Sequence, residues 1–201
     1  MSSSITRRVA AVIAAGALTF GATACGDGKN DEISKQAQDQ KGYVGGDGTV
    51  EELPAAKRDK PVTLSGKLLD GTDWNVEQAR GKVVVLNVWG AWCGPCQAEM
   101  PHLQKAWQSY EKSGKNVVFM GIDQRDSNAV ASSTLKKWGV TYPSLANDDG
   151  ANLQGLQRKV SATPTTLVLD AQGRVAARFI GQVESGSILK TIVNDVLAET
   201  T

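Results

Sequence analysis

Two cysteines separated by Gly-Pro, in Trp92-Cys93-Gly94-Pro95-Cys96, are the residues of this chain whose type and spacing do chemistry. They follow an apolar run, Val83-Val84-Val85-Leu86-Asn87-Val88-Trp89, which reads as a strand buried on both faces. Behind them Met100, Leu103, Ala106, Trp107 and Tyr110 recur at helical spacing. Pro95 sits near the start of that helix, where a missing N–H loses nothing. Both sulfurs therefore meet free backbone N–H groups and the positive end of a helix, which stabilise a thiolate. The thiolate is the nucleophile that attacks a disulfide, and lowering a thiol pKa from about 8.5 to about 7 raises its fraction at neutral pH from a few per cent to roughly half.

Other uses of a cysteine pair fit these residues poorly. A structural zinc site needs four ligands, and beyond the pair the chain offers one histidine, His102, plus carboxylates. Haem attachment needs histidine directly after the second cysteine, where Gln97 stands. As a staple the pair closes too short a loop to constrain the unfolded chain. A redox dithiol remains, with no cofactor and no metal implied.

The elements around the pair are legible in outline. Met1 to Arg8 ends in two arginines, and Val9 to Phe20 is apolar but, at about a dozen residues, shorter than the roughly twenty that span a bilayer. Residues 1–24 read as an export signal closing on Ala22-Thr23-Ala24, with Cys25 next. The pattern resembles a bacterial lipoprotein signal, in which the cysteine carries the lipid, although Ala22 stands where leucine is usual. Conventional cleavage that leaves Cys25 a thiol is the alternative. Arg7-Arg8 raises the twin-arginine route, which Val9-Ala10-Ala11 does not continue. With Cys25 lipidated, Cys93 and Cys96 are the only thiols left, free to cycle in an oxidising compartment. A net charge of +1 gives no nucleic-acid footprint.

Residues 25–60, with Gly45-Gly46-Asp47-Gly48 and many charges, read as a flexible tether reaching about 30 Å. Residues 61–201 fit one domain. Within it, Val62-Thr63-Leu64 and Asp73-Trp74-Asn75-Val76 flank the turn Asp70-Gly71 as an N-terminal hairpin. After the motif come a strand over Asn116–Ile122, a helix over Ala129–Trp138 and a short helical stretch over Leu153–Arg158. Thr165–Leu169 and Arg174–Ile180 form a hairpin around Asp170-Ala171-Gln172-Gly173. The last helix, Ser187–Ala198, offers Ile188, Ile192, Val193 and Val196 as its buried face.

This order, with the cysteines after the first strand, resembles the thioredoxin fold, an α/β fold with a central mixed sheet flanked by helices, here with an N-terminal β-hairpin extension. The chain is similar to the membrane-tethered TlpA/ResA thioredoxins, related to those of cytochrome c maturation. The likeness rests on Arg80-Gly81-Lys82-Val83-Val84, on Asn87 to Pro101, and on Ala162-Thr163-Pro164-Thr165-Thr166-Leu167. It implies that Cys93 is the exposed attacking thiol and Cys96 the resolving one, cycling through a redox-active Cys93–Cys96 disulfide. It also implies that Pro164 is a cis-proline opposite the pair, with the Thr163 backbone open to a peptide. Trp92, Gly94, Pro95, Thr163 and Pro164 are the expected substrate-binding residues, and Trp89 a core residue. Pro101 is expected to kink the helix.

Ordinary thioredoxins carry a buried aspartate where this chain has Asn87, which cannot relay a proton. Glu99, about a turn beyond Cys96, matches the family's glutamate, and burial would raise its pKa. The lone histidine, His102, is expected on the helix surface. The resemblance implies an extracytoplasmic thiol–disulfide oxidoreductase, lipid-anchored at a bacterial cell membrane or secreted. Its partners would be protein disulfides or dithiols, such as the Cys-x-x-Cys-His segment of apocytochrome c, and a membrane electron-transfer protein. Gly94-Pro95 puts no cation between the sulfurs, which leans towards a reducing poise. A disulfide donor for secreted proteins and a non-catalytic peptide-binding module are the alternatives.

Overall fold

The computed structural model describes residues 46–147 and 149–199. The export segment 1–24, Cys25 and the first part of the expected tether lie outside the described residues. In chain order the elements are β1 (Thr49–Glu52), β2 (Ser65–Lys67), β3 (Asp73–Asn75), β4 (Val83–Trp89), α1 (Gly94–Ser113) and β5 (Val117–Asp123). They continue with α2 (Asn128–Trp138), β6 (Ser144–Leu145), α3 (Ala151–Gly155), β7 (Thr165–Leu169), β8 (Val175–Ile180) and α4 (Gly186–Ala198).

A six-stranded sheet in the order β1-β8-β7-β4-β5-β6 forms the centre. β4 is parallel to β5 and antiparallel to β7, so the mixed sheet expected from the resemblance is present. β4 is buried at every position because both of its faces are covered. Val83, Val85 and Trp89 join Met100, Leu103 and Ala106 of α1 and Leu189 and Val193 of α4. Val84, Leu86 and Val88 face the other way, into a core with Val62, Leu64, Val76 and Leu156. Each fully buried Val or Leu of this kind contributes roughly 1.5–3 kcal/mol.

The fold begins earlier than the expected boundary at residue 61. β1 pairs antiparallel with β8, Thr49 opposite Ile180, inside what reads as tether. Leu53 N–H then donates to Ala176 O at 2.7 Å. The Arg58 guanidinium, with a side chain only 3% exposed, bridges Asp170 of the β7–β8 turn and Glu199 beyond α4. Residues 49–60 are thus ordered by long-range pairing that local composition does not encode.

Two smaller differences have plain causes. The Asp70-Gly71 hairpin pairs Ser65–Lys67 with Asp73–Asn75, because Val62 and Leu64 are core residues ahead of it. In α4 the inward residues are Leu189, Ile192, Val193 and Val196, while Ile188 is 52% exposed. At 100° per residue Ile188 lies roughly 90° round from the centre of that buried arc. α1 runs unbroken through Pro101, and His102 is half-buried on it.

Candidate active site

Cys93 and Cys96 sit where β4 hands over to α1, and they are joined by a disulfide with Cα atoms 5.2 Å apart. Cys93 is the N-cap of α1, and its Sγ accepts the Cys96 N–H at 3.2 Å. A helix N-terminus leaves such donors unpaired, so the same N–H groups stabilise a thiolate in the reduced protein. Cys93 is not the exposed residue the resemblance implies: it is 2% exposed and Cys96 0%. In the bonded form its sulfur turns inward to a fully buried partner and joins the apolar core. Gly94 is exposed and Pro95 half-buried on the same turn.

Sheet register brings two loops to this turn. β7 pairs with β4 with Thr165 opposite Val88, which sets Thr163-Pro164 beside the end of the motif-bearing strand. The Thr163–Pro164 peptide is cis, as expected, and Pro164 is buried. No backbone hydrogen bond engages Thr163 among the described residues. On the other side β5 ends at Asp123, opposite Trp89, and delivers Gln124, Arg125 and Asp126.

Trp92 is half-buried. Its Nε1–H donates to Gln124 O at 2.8 Å, and the Arg125 guanidinium lies 5.5 Å from its ring centroid. Gly90 makes room for it: a Cβ there would lie 2.5 Å from Trp92 Nε1. A groove of about 150 Å³ runs between Trp92 and Thr163, walled by Leu153 and Val160. Trp89 is core, as expected, with its Nε1–H on Ser144 Oγ at 3.0 Å.

Glu99 is 1% exposed on α1, beneath the turn. Its Oε1 accepts from Asn87 Nδ2 at 2.7 Å and its Oε2 from the Val183 N–H at 2.8 Å. Burial raises its pKa from 4.5 to about 8, against those two donors, which favour the charged form. Asn87 also donates to Thr166 Oγ1 at 3.1 Å, while its own Oδ1 has no partner among the described residues.

The sequence reading missed the loop after β5. In parallel α/β units the carboxyl ends of neighbouring strands converge on one site, and β5 is β4's parallel neighbour. Asp123 and Asp126, just past an apolar strand, were the available signal. Cys25 lies outside the described residues.

The Redoxin family model matches residues 51–197. The chain belongs to the Redoxin family.

Within that family it is 30% identical to the thiol-disulfide oxidoreductase ResA of Bacillus anthracis over 57% of this chain and 64% of that one. The match thus spans just under two thirds of that relative's length. It is also 35% identical to the thiol:disulfide interchange protein DsbE of Pasteurella multocida, over 65% of this chain and 70% of that protein. Among solved structures, a secreted thiol-disulfide isomerase from Corynebacterium glutamicum superposes with a TM-score of 0.66 at 30% identity. That likeness covers 78% of this chain and 96% of the other. The thioredoxin fold and the ResA-type resemblance read from the sequence are both shown.

Proposed function

We propose that this protein is an extracytoplasmic thiol–disulfide oxidoreductase that reduces protein disulfides through Cys93 and Cys96. The observation that carries this reading is the Cys93–Cys96 disulfide at the start of α1, next to the unengaged backbone of Thr163. In the reduced protein the Cys93 thiolate attacks one sulfur of the partner's disulfide. A Cys93–partner bond forms as the partner's S–S bond breaks, and the displaced sulfur leaves as a thiolate that is protonated by water. Cys96 then gives its proton to the Glu99 carboxylate, attacks Cys93 Sγ and expels the partner's second sulfur. The partner gains two electrons and the Cys93–Cys96 disulfide returns.

Glu99 lies one helical turn from Cys96, and at about 8 its pKa is close to that of an ordinary thiol. A proton therefore passes either way between matched groups at little cost. Thr163 pairs with an extended segment of the partner, and Trp92, Gly94, Pro95 and Pro164 shape the surface it meets. The substrate fitting this chemistry is a surface disulfide in a flexible segment, the Cys-x-x-Cys-His of an apocytochrome c being one such. A membrane electron-transfer protein restores the dithiol. Lipid at Cys25 holds the domain at the outer membrane face.

The relatives named for thiol–disulfide exchange support the reaction class. The similar secreted isomerase favours a second reading, in which the pair donates or reshuffles disulfides in secreted proteins. An intact pair speaks against a non-catalytic binding module.

The test replaces each cysteine in turn. Cys96→Ser should accumulate mixed disulfides with partner proteins, and Cys93→Ser should form none. Reduction of a model disulfide by Cys93→Ser at the native rate would overturn the assignment.

A further inference from the structure

β5 ends on an oddity: the Asp123 carboxyl is fully buried, and neither of its oxygens has a hydrogen-bond donor among the described residues. What faces it is a second carboxyl, Asp126, within hydrogen-bonding reach. Asp126 Oδ2 in turn accepts the Ala91 N–H at 2.6 Å. Ala91 precedes Trp92 and Cys93, so the chain Asp123–Asp126–Ala91 ends on the turn that carries the N-terminal cysteine. Two facing carboxyls, one fully buried and the other half-buried, do not both ionise readily. A proton on Asp123, directed at Asp126, supplies the bond that Asp123 lacks.

We propose that Asp123 and Asp126 share one proton, and that this proton-sharing pair is a positioning device that holds the Gly90-Ala91-Trp92 turn and with it Cys93. The groups around Asp123 agree. Asp126 is the charged side chain that acts on it, while the nearby backbone of Gln124 and Asn147 favours its charged form without a hydrogen bond of good geometry. Across the sheet β4 presents uncharged Trp89, and β6 ends at Leu145, opposite Ile122. Glu99 of α1 spends both oxygens on Asn87 and Val183. The Arg125 guanidinium is stacked over Trp92, and Asp149 is tied to Asn147. Burial first, then the charge of Asp126, raises Asp123 to about 7. Above that pH Asp123 loses its proton, its bond to Asp126 is lost, and the hold on Ala91 weakens.

The effect on Cys93 rests on the proposed function, but the pair itself does not, so the test reads the two separately. In the ¹⁵N-labelled oxidised protein, the Ala91 amide resonance is followed from pH 5 to 9, alone and in a Glu99→Gln background that removes the titration at about 8. The expected result is a transition near pH 7 that persists with Glu99→Gln and disappears with Asp123→Asn. Asp126→Asn should move the resonance upfield at every pH. If Asp123→Asn does not fold, the ¹³C carboxyl titration of native Asp123 decides: a midpoint near 7 supports the pair, and one near 4 overturns it. An Ala91 resonance indifferent to pH, or one titrating unchanged in Asp123→Asn, also overturns it. With the reduced protein, the iodoacetamide rate of Cys93 relative to Asp123→Asn should change severalfold across pH 6 to 8. Parallel rate profiles would overturn the link to Cys93. A Cys93 that alkylates no faster than a free thiol would instead count against the proposed function.

Discussion

Glu99→Gln converts the buried carboxyl into a measurable slope of stability against pH. In the folded protein Glu99 has its pKa raised from 4.5 to about 8 by burial. A carboxyl raised on folding binds its proton more tightly in the folded state, so its contribution is complete below pH 4.5 and is lost as pH rises through about 8. Each pH unit between those values removes about 1.4 kcal/mol. The whole interval amounts to roughly 5 kcal/mol, an upper figure because water enters and the site relaxes. Glutamine keeps the shape and one acceptor but has nothing to ionise. It also sets an NH₂ against one of two existing donors, Asn87 Nδ2 and the Val183 N–H, a fixed cost of about 1–3 kcal/mol independent of pH. The variant is therefore less stable than the native protein at pH 5, and the gap should close or reverse by pH 8.5. Urea unfolding of the oxidised proteins at half-unit steps from pH 4.5 to 9 gives both curves. The native-minus-variant difference should change by about 3–5 kcal/mol across that range. Parallel curves would show that Glu99 is ionised throughout and that burial does not govern its proton.

Arg58→Ala should lower stability by about 2 kcal/mol, less than the ~3–5 for an isolated buried pair, because Arg174 Nε still holds Asp170 at 2.8 Å. Urea midpoints check it, and an unchanged midpoint would mean that the segment after β1 adds nothing to the fold. Gly90→Ala drives a Cβ into the Trp92 indole and should break the Trp92–Gln124 bond, costing about 1–3 kcal/mol. The expected sign is a changed near-ultraviolet dichroism together with a lower melting temperature. Lipid at Cys25 predicts a mature N-terminus whose mass carries acyl chains and a protein that stays with membranes through a salt wash. An unmodified N-terminal Cys25 would contradict it.

What was legible in the sequence follows from local physics. β4 announces itself through a seven-residue run buried on both faces. The C-cap of α2 is marked by Gly139, which takes φ 70° where a side chain would be strained. The β7–β8 turn is spelled by Asp170, whose carboxylate accepts the Gln172 and Arg174 N–H groups. β1 was not legible, because it is a short, largely exposed edge strand with Glu51 and Glu52 in it, and its partner lies far along the chain. The burial of Cys93 was hidden for a similar reason, since the disulfide and the packing around it decide exposure. Asn87 and Glu99 were visible as a substitution pattern, but their direct hydrogen bond comes only from folding β4 against α1. Asp123 and Asp126 carry no local signal beyond their place at the end of an apolar strand, because only the sheet register sets them beside the Cys-bearing turn.

The central claim is that Cys93 and Cys96 form a dithiol that donates electrons, and the reduction potential of the purified protein tests it most directly. Equilibration in glutathione and dithiothreitol buffers at pH 7, with thiols trapped and counted by mass, gives one two-electron transition. The account predicts a value near the thioredoxin end, about −270 mV, and no transition at all in Cys93→Ser. A value near about −120 mV would contradict it and make the protein an oxidant of its partners.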